Sequence, residues 1–339
     1  MYQESNKNRK SSGRVTLADV AKKVGVGAMT VSRALRTPEM VSEVLRKRIE
    51  QVVAELGYVP NYSARQLASA VSQNLVIVTT SITSTENALI LSAFRQSIQN
   101  AELQMVILIA DNDHWLQELI NHSPQAIILL NVKCPPIAEQ WIIKSEIPTI
   151  EIGSLNDNPI YASVSIDSRL AMKTMIDYLI SKGCREIGLL AAQQNLAIFQ
   201  QYLDSWHKTL LNHHISPHLI HHSGEPISYS AGANLLKDAI QNWGSFDALV
   251  FLSDELACGA LNEALRRKLN VPRDCKIVGL GGLDVGKVSY PNLTTIEIPY
   301  ENMGKQAGKL LIKLLNNEYL EERECHIILP TTLIERAST

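Results

Sequence analysis

The chain has 339 residues, 45% of them hydrophobic, enough for two or three domains with full cores. No apolar run approaches the ~18 residues of a membrane span, residues 1–13 lack the apolar centre of a secretory signal, and five scattered cysteines without a C-x-x-C argue against a disulfide framework or a zinc site. The net charge of −2 hides an asymmetry: residues 1–65 hold 12 Lys and Arg against 6 Asp and Glu, the rest 20 against 28, so a basic front suits a polyanion that an acidic remainder avoids.

In chain order, residues 1–13 read as a disordered lead-in. Thr16 is a good N-cap, with Asp19 in the positive first turn that follows. Leu17, Val20, Ala21 and Val24 make one apolar stripe, and Gly25 stops the helix. A second helix runs from about Ala28 to Arg36, with Val31 and Leu35 inward. The spacing of Ala21, Gly25 and Val31 lets two helices cross closely around a sharp turn, the helix-turn-helix geometry that presents a second helix to the DNA major groove. A structural helix corner carries the same spacing. Ser42 can cap a third helix, Glu43 to Leu56, which Gly57 ends. Asn61 can cap a short helix from Tyr62 to Ala70.

From Leu75 the pattern becomes strand–helix alternation: strands near 75–80, 105–109, 126–130 and 149–152, with helices near 88–100, 113–122 and 136–144 between and after them. After Tyr161 it restarts, with strands near 186–190, 248–252 and 275–280 and helices near 168–182, 197–211, 230–242 and 255–269. Such alternation signals parallel sheets built from right-handed crossovers. A last strand near 293–296 and a helix near 302–316 precede the terminal strand.

Val15-Thr-Leu-Ala-Asp-Val-Ala21, Gly25-Val, Met29-Thr-Val-Ser-Arg33, Glu55-Leu-Gly-Tyr-Val-Pro-Asn61 and Ala64-Arg-Gln-Leu-Ala68 stand in order at distances that resemble the headpiece and hinge of the LacI/GalR family of bacterial transcriptional repressors. The resemblance spans about residues 14–339. It implies an α/β protein, with an all-α helix-turn-helix headpiece (14–60), a hinge (61–73) and a periplasmic-binding-protein-like body (74–339). The body would hold two parallel-sheet Rossmann-like lobes, 74–161 with 293–320, and 162–292 with 321–339. It further implies a cytoplasmic homodimer that binds operator DNA and a small effector, with no membrane association.

On that reading Ala28 and Met29 face base edges, with Ser32 and Arg33 one turn on; Arg33 can be bidentate to guanine. Thr16, Leu17 and Arg36 complete the headpiece contacts. In the hinge, Leu67 stands where the family wedges a leucine pair into the minor groove, with Asn61, Arg65 and Ala68 around it. In the cleft, Ser253-Asp254 matches the family's polar pair. Tyr202 stands where many sugar-responsive relatives have arginine, and Gly281 where many have a carboxylate. Glu151 and Asp167 are further cleft candidates; each side chain can equally cap a nearby backbone. The segments Met29–Ser42 and Gly282-Leu-Asp-Val-Gly286 are similar to gluconate-utilisation repressors, which implies gluconate or a related sugar acid as effector. Another sugar or a nucleoside is the alternative within the family, and a small-molecule binding protein without regulation is the alternative outside it.

Three other signals carry little. Gly279-x-Gly281-Gly282-x3-Gly286 follows a strand but lacks the dinucleotide-binding spacing, so no cofactor is expected. His213, His214, His218, His221 and His222 cluster across a loop without a cysteine or carboxylate among them, so no metal is expected. No G-x-S-x-G elbow occurs, and no enzyme is expected.

Overall fold

The computed structural model describes residues 15–58, 72–110, 114–156, 158–192 and 197–339, with Arg36 and Ala197 described by backbone alone. It divides into two compact units, residues 1–71 and 72–339. The hinge helix and its residues Asn61, Arg65, Leu67 and Ala68 lie outside the described residues, as does the lead-in.

The headpiece holds α1 (Leu17–Val24), α2 (Ala28–Arg36), a 3-10 turn (Pro38–Met40) and α3 (Glu43–Leu56). Its core is Val20, Ala21 and Val24 of α1, Val31 and Ala34 of α2, and Ile49 and Val52 of α3. Ala34, rather than Leu35, joins Val31 on the buried face; Leu35 packs at the edge, half-buried. The smaller side chain lets α2 lie closer to its neighbours.

The body opens with β1 (Asn74–Thr79), α4 (Thr85–Ser97), β2 (Gln104–Ile109), α5 (Trp115–Asn121), β3 (Ala126–Leu130), α6 (Pro136–Ser145), β4 (Thr149–Ser154) and β5 (Ala162–Ile166). It continues with α7 (Ser168–Ser181), β6 (Ile187–Ala192), α8 (Ala197–Asn212), β7 (Ile220–Ser223), α9 (Tyr229–Asn242), β8 (Ala248–Phe251) and α10 (Asp254–Arg266). It closes with β9 (Lys276–Gly281), α11 (Val285–Val288), β10 (Thr294–Glu297), α12 (Tyr300–Leu315), α13 (Glu322–Cys325), β11 (His326–Leu329) and β12 (Thr332–Ile334).

Two six-stranded sheets result, in the orders β11-β5-β4-β3-β1-β2 and β12-β10-β9-β8-β6-β7. The first is parallel throughout; in the second, β12 alone runs antiparallel, against β10. In the first lobe α4, through Phe94, and α12 cover one face over Leu75, Ile77 and Ile128, while α5 and α6 cover the other through Trp115, Leu119 and Ile142. In the second, α7 and α8 bring Met172, Met175 and Trp206 to one face, and α9 and α10 bring Leu235, Leu236 and Leu261 to the other.

The lobes are divided differently from the sequence expectation. Residues 162–166 form β5 of the first sheet, in register with β4, and residues 294–297 form β10 of the second, in register with β9. The final segment is split: β11 pairs with β5 and β12 with β10. Each lobe thereby covers an edge with a strand from a distant part of the chain. The chain crosses between lobes three times, at 166–168, 297–300 and 329–332.

Candidate functional site

The headpiece face is built from α1 outward. Thr16 Oγ1 accepts the Asp19 N–H at 3.3 Å, and Asp19 Oδ2 accepts the Thr16 N–H at 2.8 Å. This reciprocal cap fixes the entry of α1, and the bonds from Thr16 hold the Asp19 carboxyl below its ordinary range. Gly25 then turns the chain at φ +81, its N–H donating to the Ala21 carbonyl at 2.9 Å. Gly27 opens α2 without any side-chain cap. Because Val31 and Ala34 face the core, the opposite face carries Ala28, Met29 and Arg33, all exposed; Met29 is 77% accessible. Ser32 is half-buried beside them, Thr16 is exposed and Leu17 half-buried at the start of α1, and Arg36 is the last residue of α2. A methionine this exposed at a helix start has no packing role.

The second site lies in the body. A cavity of about 580 Å³ runs between the lobes, lined at the carboxyl ends of first-sheet strands by Thr80, Ser81, Asn131 and Ser154, where open α/β sheets take ligands. Asn87 ties these ends together. Its amide donates to Thr79 Oγ1 at 3.1 Å and to the Ser81 carbonyl at 2.9 Å, and its oxygen accepts from Asn131 Nδ2 at 2.9 Å. The second lobe contributes Arg169, Gln201, Tyr202, Leu252, Glu255 and Leu280, and the second crossing adds Ile298 and Tyr300. Burial pushes the phenols of Tyr202 and Tyr300 well above their ordinary range, so both remain neutral. Among the described residues, hydrogen bonds span the lobes at two places: Thr85 Oγ1 donates to Glu255 Oε1 at 2.5 Å, and Gln201 Nε2 donates to the Leu155 carbonyl at 2.9 Å.

The cleft candidates are placed in three ways. Glu151 and Tyr202 line the cavity. Glu151 accepts the Ile160 N–H at 3.2 Å and Asn156 Nδ2 at 3.4 Å, and burial lifts its carboxyl above the usual range. Asp167 caps α7, accepting the Leu170 N–H at 2.9 Å, and is not in the lining. Ser253, Asp254 and Gly281 form an internal knot behind the wall. Ser253 caps α10 by accepting the Glu255 N–H at 3.1 Å. Asp254 is fully buried, accepting the Leu283 N–H at 2.7 Å and the Thr295 hydroxyl at 2.6 Å. Gly281 and Gly282, at φ +143 and +75, bend the loop around that carboxylate. A Cβ on Gly279 would strike Asp254 Oδ1. The residues flanking this knot, Leu252, Glu255 and Leu280, are the ones that reach the cavity.

Sequence reasoning overlooked Asn87, Asn131, Lys133, Arg169, Gln201 and Glu255, all in the lining. Asn131 and Arg169 directly follow a strand and a helix start, the positions where α/β sheets hold ligands, and that signal was readable. The histidine cluster is distributed over separate carboxylates: His213 to Asp177 at 2.9 Å, His221 to Asp238 at 3.0 Å and His218 to Glu186 at 3.6 Å.

Comparison with known proteins agrees with both units. The profile described as "Bacterial regulatory proteins, lacI family" matches residues 16–61, and that described as "Periplasmic binding protein-like domain" matches 176–339. The HTH-type transcriptional regulator GntR of Escherichia coli K12 is 30% identical over 312 residues, covering 90% of this chain and 93% of that protein. A LacI family transcriptional regulator from Silicibacter pomeroyi superposes with a TM-score of 0.87 at 24% identity, over 96% of this chain and 99% of that one. The lac repressor dimer bound to operator and the anti-inducer ONPF superposes with a TM-score of 0.80 at 22% identity, again over 96% and 99%. The chain belongs to the LacI family of bacterial DNA-binding transcriptional regulators and is not an enzyme.

Proposed function

We propose that this protein is a homodimeric repressor that binds a near-palindromic operator and whose operator affinity is set by a sugar-type effector, gluconate or a related sugar acid. The observation that carries the DNA half is the exposed start of α2. Val31 and Ala34 anchor the helix while Ala28, Met29 and Arg33 stand free of the core. On this reading Ala28 and Met29 meet thymine methyls, Arg33 meets guanine, and Ser32 lies beside them. Thr16, Leu17 and Arg36 contact the backbone around them, and Leu67, with Asn61, Arg65 and Ala68, wedges the minor groove. Similarity to a repressor solved as an operator-bound dimer supports the homodimer, and a chromosomal target supports a cytoplasmic address.

The effector half rests on the cavity. Thr80, Ser81, Asn131 and Ser154 offer hydroxyl and amide partners for a polyol, and Lys133 and Arg169 bring positive charge to the lining for a carboxylate. The similarity of Met29–Ser42 and Gly282–Gly286 to gluconate-utilisation repressors points the same way.

The test is fluorescence anisotropy of the protein on its own upstream DNA, with and without gluconate and across a salt series. Tight, salt-sensitive binding that gluconate releases is expected. Arg33→Ala should weaken operator binding by about 1–3 kcal/mol, with less effect on non-specific DNA. Binding that shows no preference for the upstream DNA overturns the repressor reading, and binding blind to gluconate overturns the effector.

A further inference from the structure

The cavity does not stop at the strand ends. On the first sheet Ile150, Ile152, Val164 and Ile166 face the core under α4 and α12. Side chains alternate along a strand, so Glu151, Ser163 and Ser165 face the opposite side. Register sets them in a row: Glu151 lies opposite Ser163, Gly153 opposite Ser165, and His326 of β11 opposite Ser163 on its other flank. Ser163 Oγ is 3.1 Å from His326 Nδ1. The apolar cluster under α5 and α6 is built on β1, β2 and β3, with Val76, Val78, Leu108, Ile127 and Leu129. At β4 the segment around Asn156 and Ile160 takes over, bonded to Glu151. A polar chamber results, continuous with the cleft, lined by Glu139, Glu151, Asn156, Asn158, Ser163 and Ser165.

Two observations indicate that this chamber receives a ligand. Ser165 is only 3% exposed, lines the cavity and, among the described residues, makes no hydrogen bond through its hydroxyl. A buried hydroxyl without a partner is unfavourable, and a ligand that bonds to it removes the penalty. Independently, Glu139 and Glu151 both line this part of the cavity, and among the described residues neither forms an ion pair with Lys133, Arg169 or any other lysine or arginine, while His326 acts on Glu151 as an opposite charge. Two carboxylates in a lining that also offers hydroxyl and amide oxygens match the three donors and single charge of a protonated amine.

We propose that this chamber is a second small-molecule site, distinct from the sugar-acid position in the cleft, and that it takes a hydroxylated compound through a primary ammonium group. Glu151 and Glu139 are the counter-charges, and Ser165 Oγ accepts one of the ligand's hydrogen bonds. The inference does not depend on gluconate being the effector.

Calorimetric titration of the full chain at pH 7 with glucosamine and with glucose, which differ by an amine in place of a hydroxyl, tests it. Glucosamine is expected to bind at least tenfold more tightly than glucose. Glu139→Gln, at a residue whose side chain makes no hydrogen bond among the described contacts, should lower glucosamine affinity at least tenfold, as should Glu151→Gln. Ser165→Ala should lower it while leaving the unfolding temperature unchanged or raised. Absence of glucosamine binding at millimolar concentration, equal binding of the two sugars, or unchanged affinity in Glu139→Gln overturns the proposal; Glu139→Gln decides if Glu151→Gln fails to fold. Operator anisotropy on the same preparations keeps this outcome separate from that of the repressor reading.

Discussion

Asp254 shows how one buried group shapes its surroundings. Burial lifts its pKa from 3.8 to about 6, against the opposing bonds from Thr295, Leu283 and Gly282. Between pH 4 and 6 the folded chain therefore retains a proton that the unfolded chain has released. Stability falls as pH rises through that window, by about 3 kcal/mol from this group. Asp254→Asn removes the titration but turns an amide donor toward one of two donors, so it is less stable at pH 4, and the gap to wild type narrows by pH 6. Urea unfolding of both proteins across pH 4–7 measures this; parallel profiles would refute it. Gly279→Ala should cost about 1–3 kcal/mol, because its Cβ meets Asp254 and Leu293. The glycine run that mimics a phosphate loop in the sequence thus wraps a carboxylate of the protein itself.

Elements are marked in the sequence unevenly. The cap pair Thr16 and Asp19 was readable, and so were α2, α3 and β3, whose bounds coincide with those expected. Thr16→Ala removes the side-chain acceptor of that cap and should cost about 0.5–2 kcal/mol; hydrogen exchange over Leu17–Val24 in the full chain should speed several-fold, and unchanged exchange would show the cap to be dispensable. β5 was not legible, because Ala-Ser-Val-Ser-Ile alternates polar and apolar residues, whereas strands such as β1, β3 and β8 are apolar runs. Its serines face the chamber, so the property that hid the strand is the one that gives it a chemical role. β7, Ile-His-His-Ser, was hidden for a similar reason. The lobe assignment of β10 and β11 was illegible in another way: β10 stays beside β9 in the second sheet and β11 returns to the distant β5, and local pattern carries no record of either choice, whereas β12 lies in the second lobe, where the terminal strand was expected. In the cleft, position along a strand end would have found Asn131, whereas family correspondence pointed to Asp254, which the glycine loop draws inward.

In the body, side-chain hydrogen bonds join the lobes across the cavity, Thr85 to Glu255 and Gln201 to Leu155 among the described residues. A single hydrogen bond at a solvent-accessible edge contributes about 1 kcal/mol. Thr85→Val and Glu255→Ala should therefore shift the lobe equilibrium by about fivefold toward separation, seen in solution scattering as a larger radius of gyration. Wild-type scattering from both variants would show that the bond does not hold the lobes.

The three chain crossings impose a mechanical rule on any such motion. One strand between two bodies is a tether and leaves them free to swing and twist in every direction. Three strands side by side act as the knuckles of a door: they suppress twist and sideways swing and leave one angle free. Whatever occupies the cavity, its effect on the rest of the molecule is then expressed as a value of that angle. Ligand identity is read by the lining and discarded at the knuckles, so the lining can change its chemistry over evolutionary time while the outgoing signal keeps the same form.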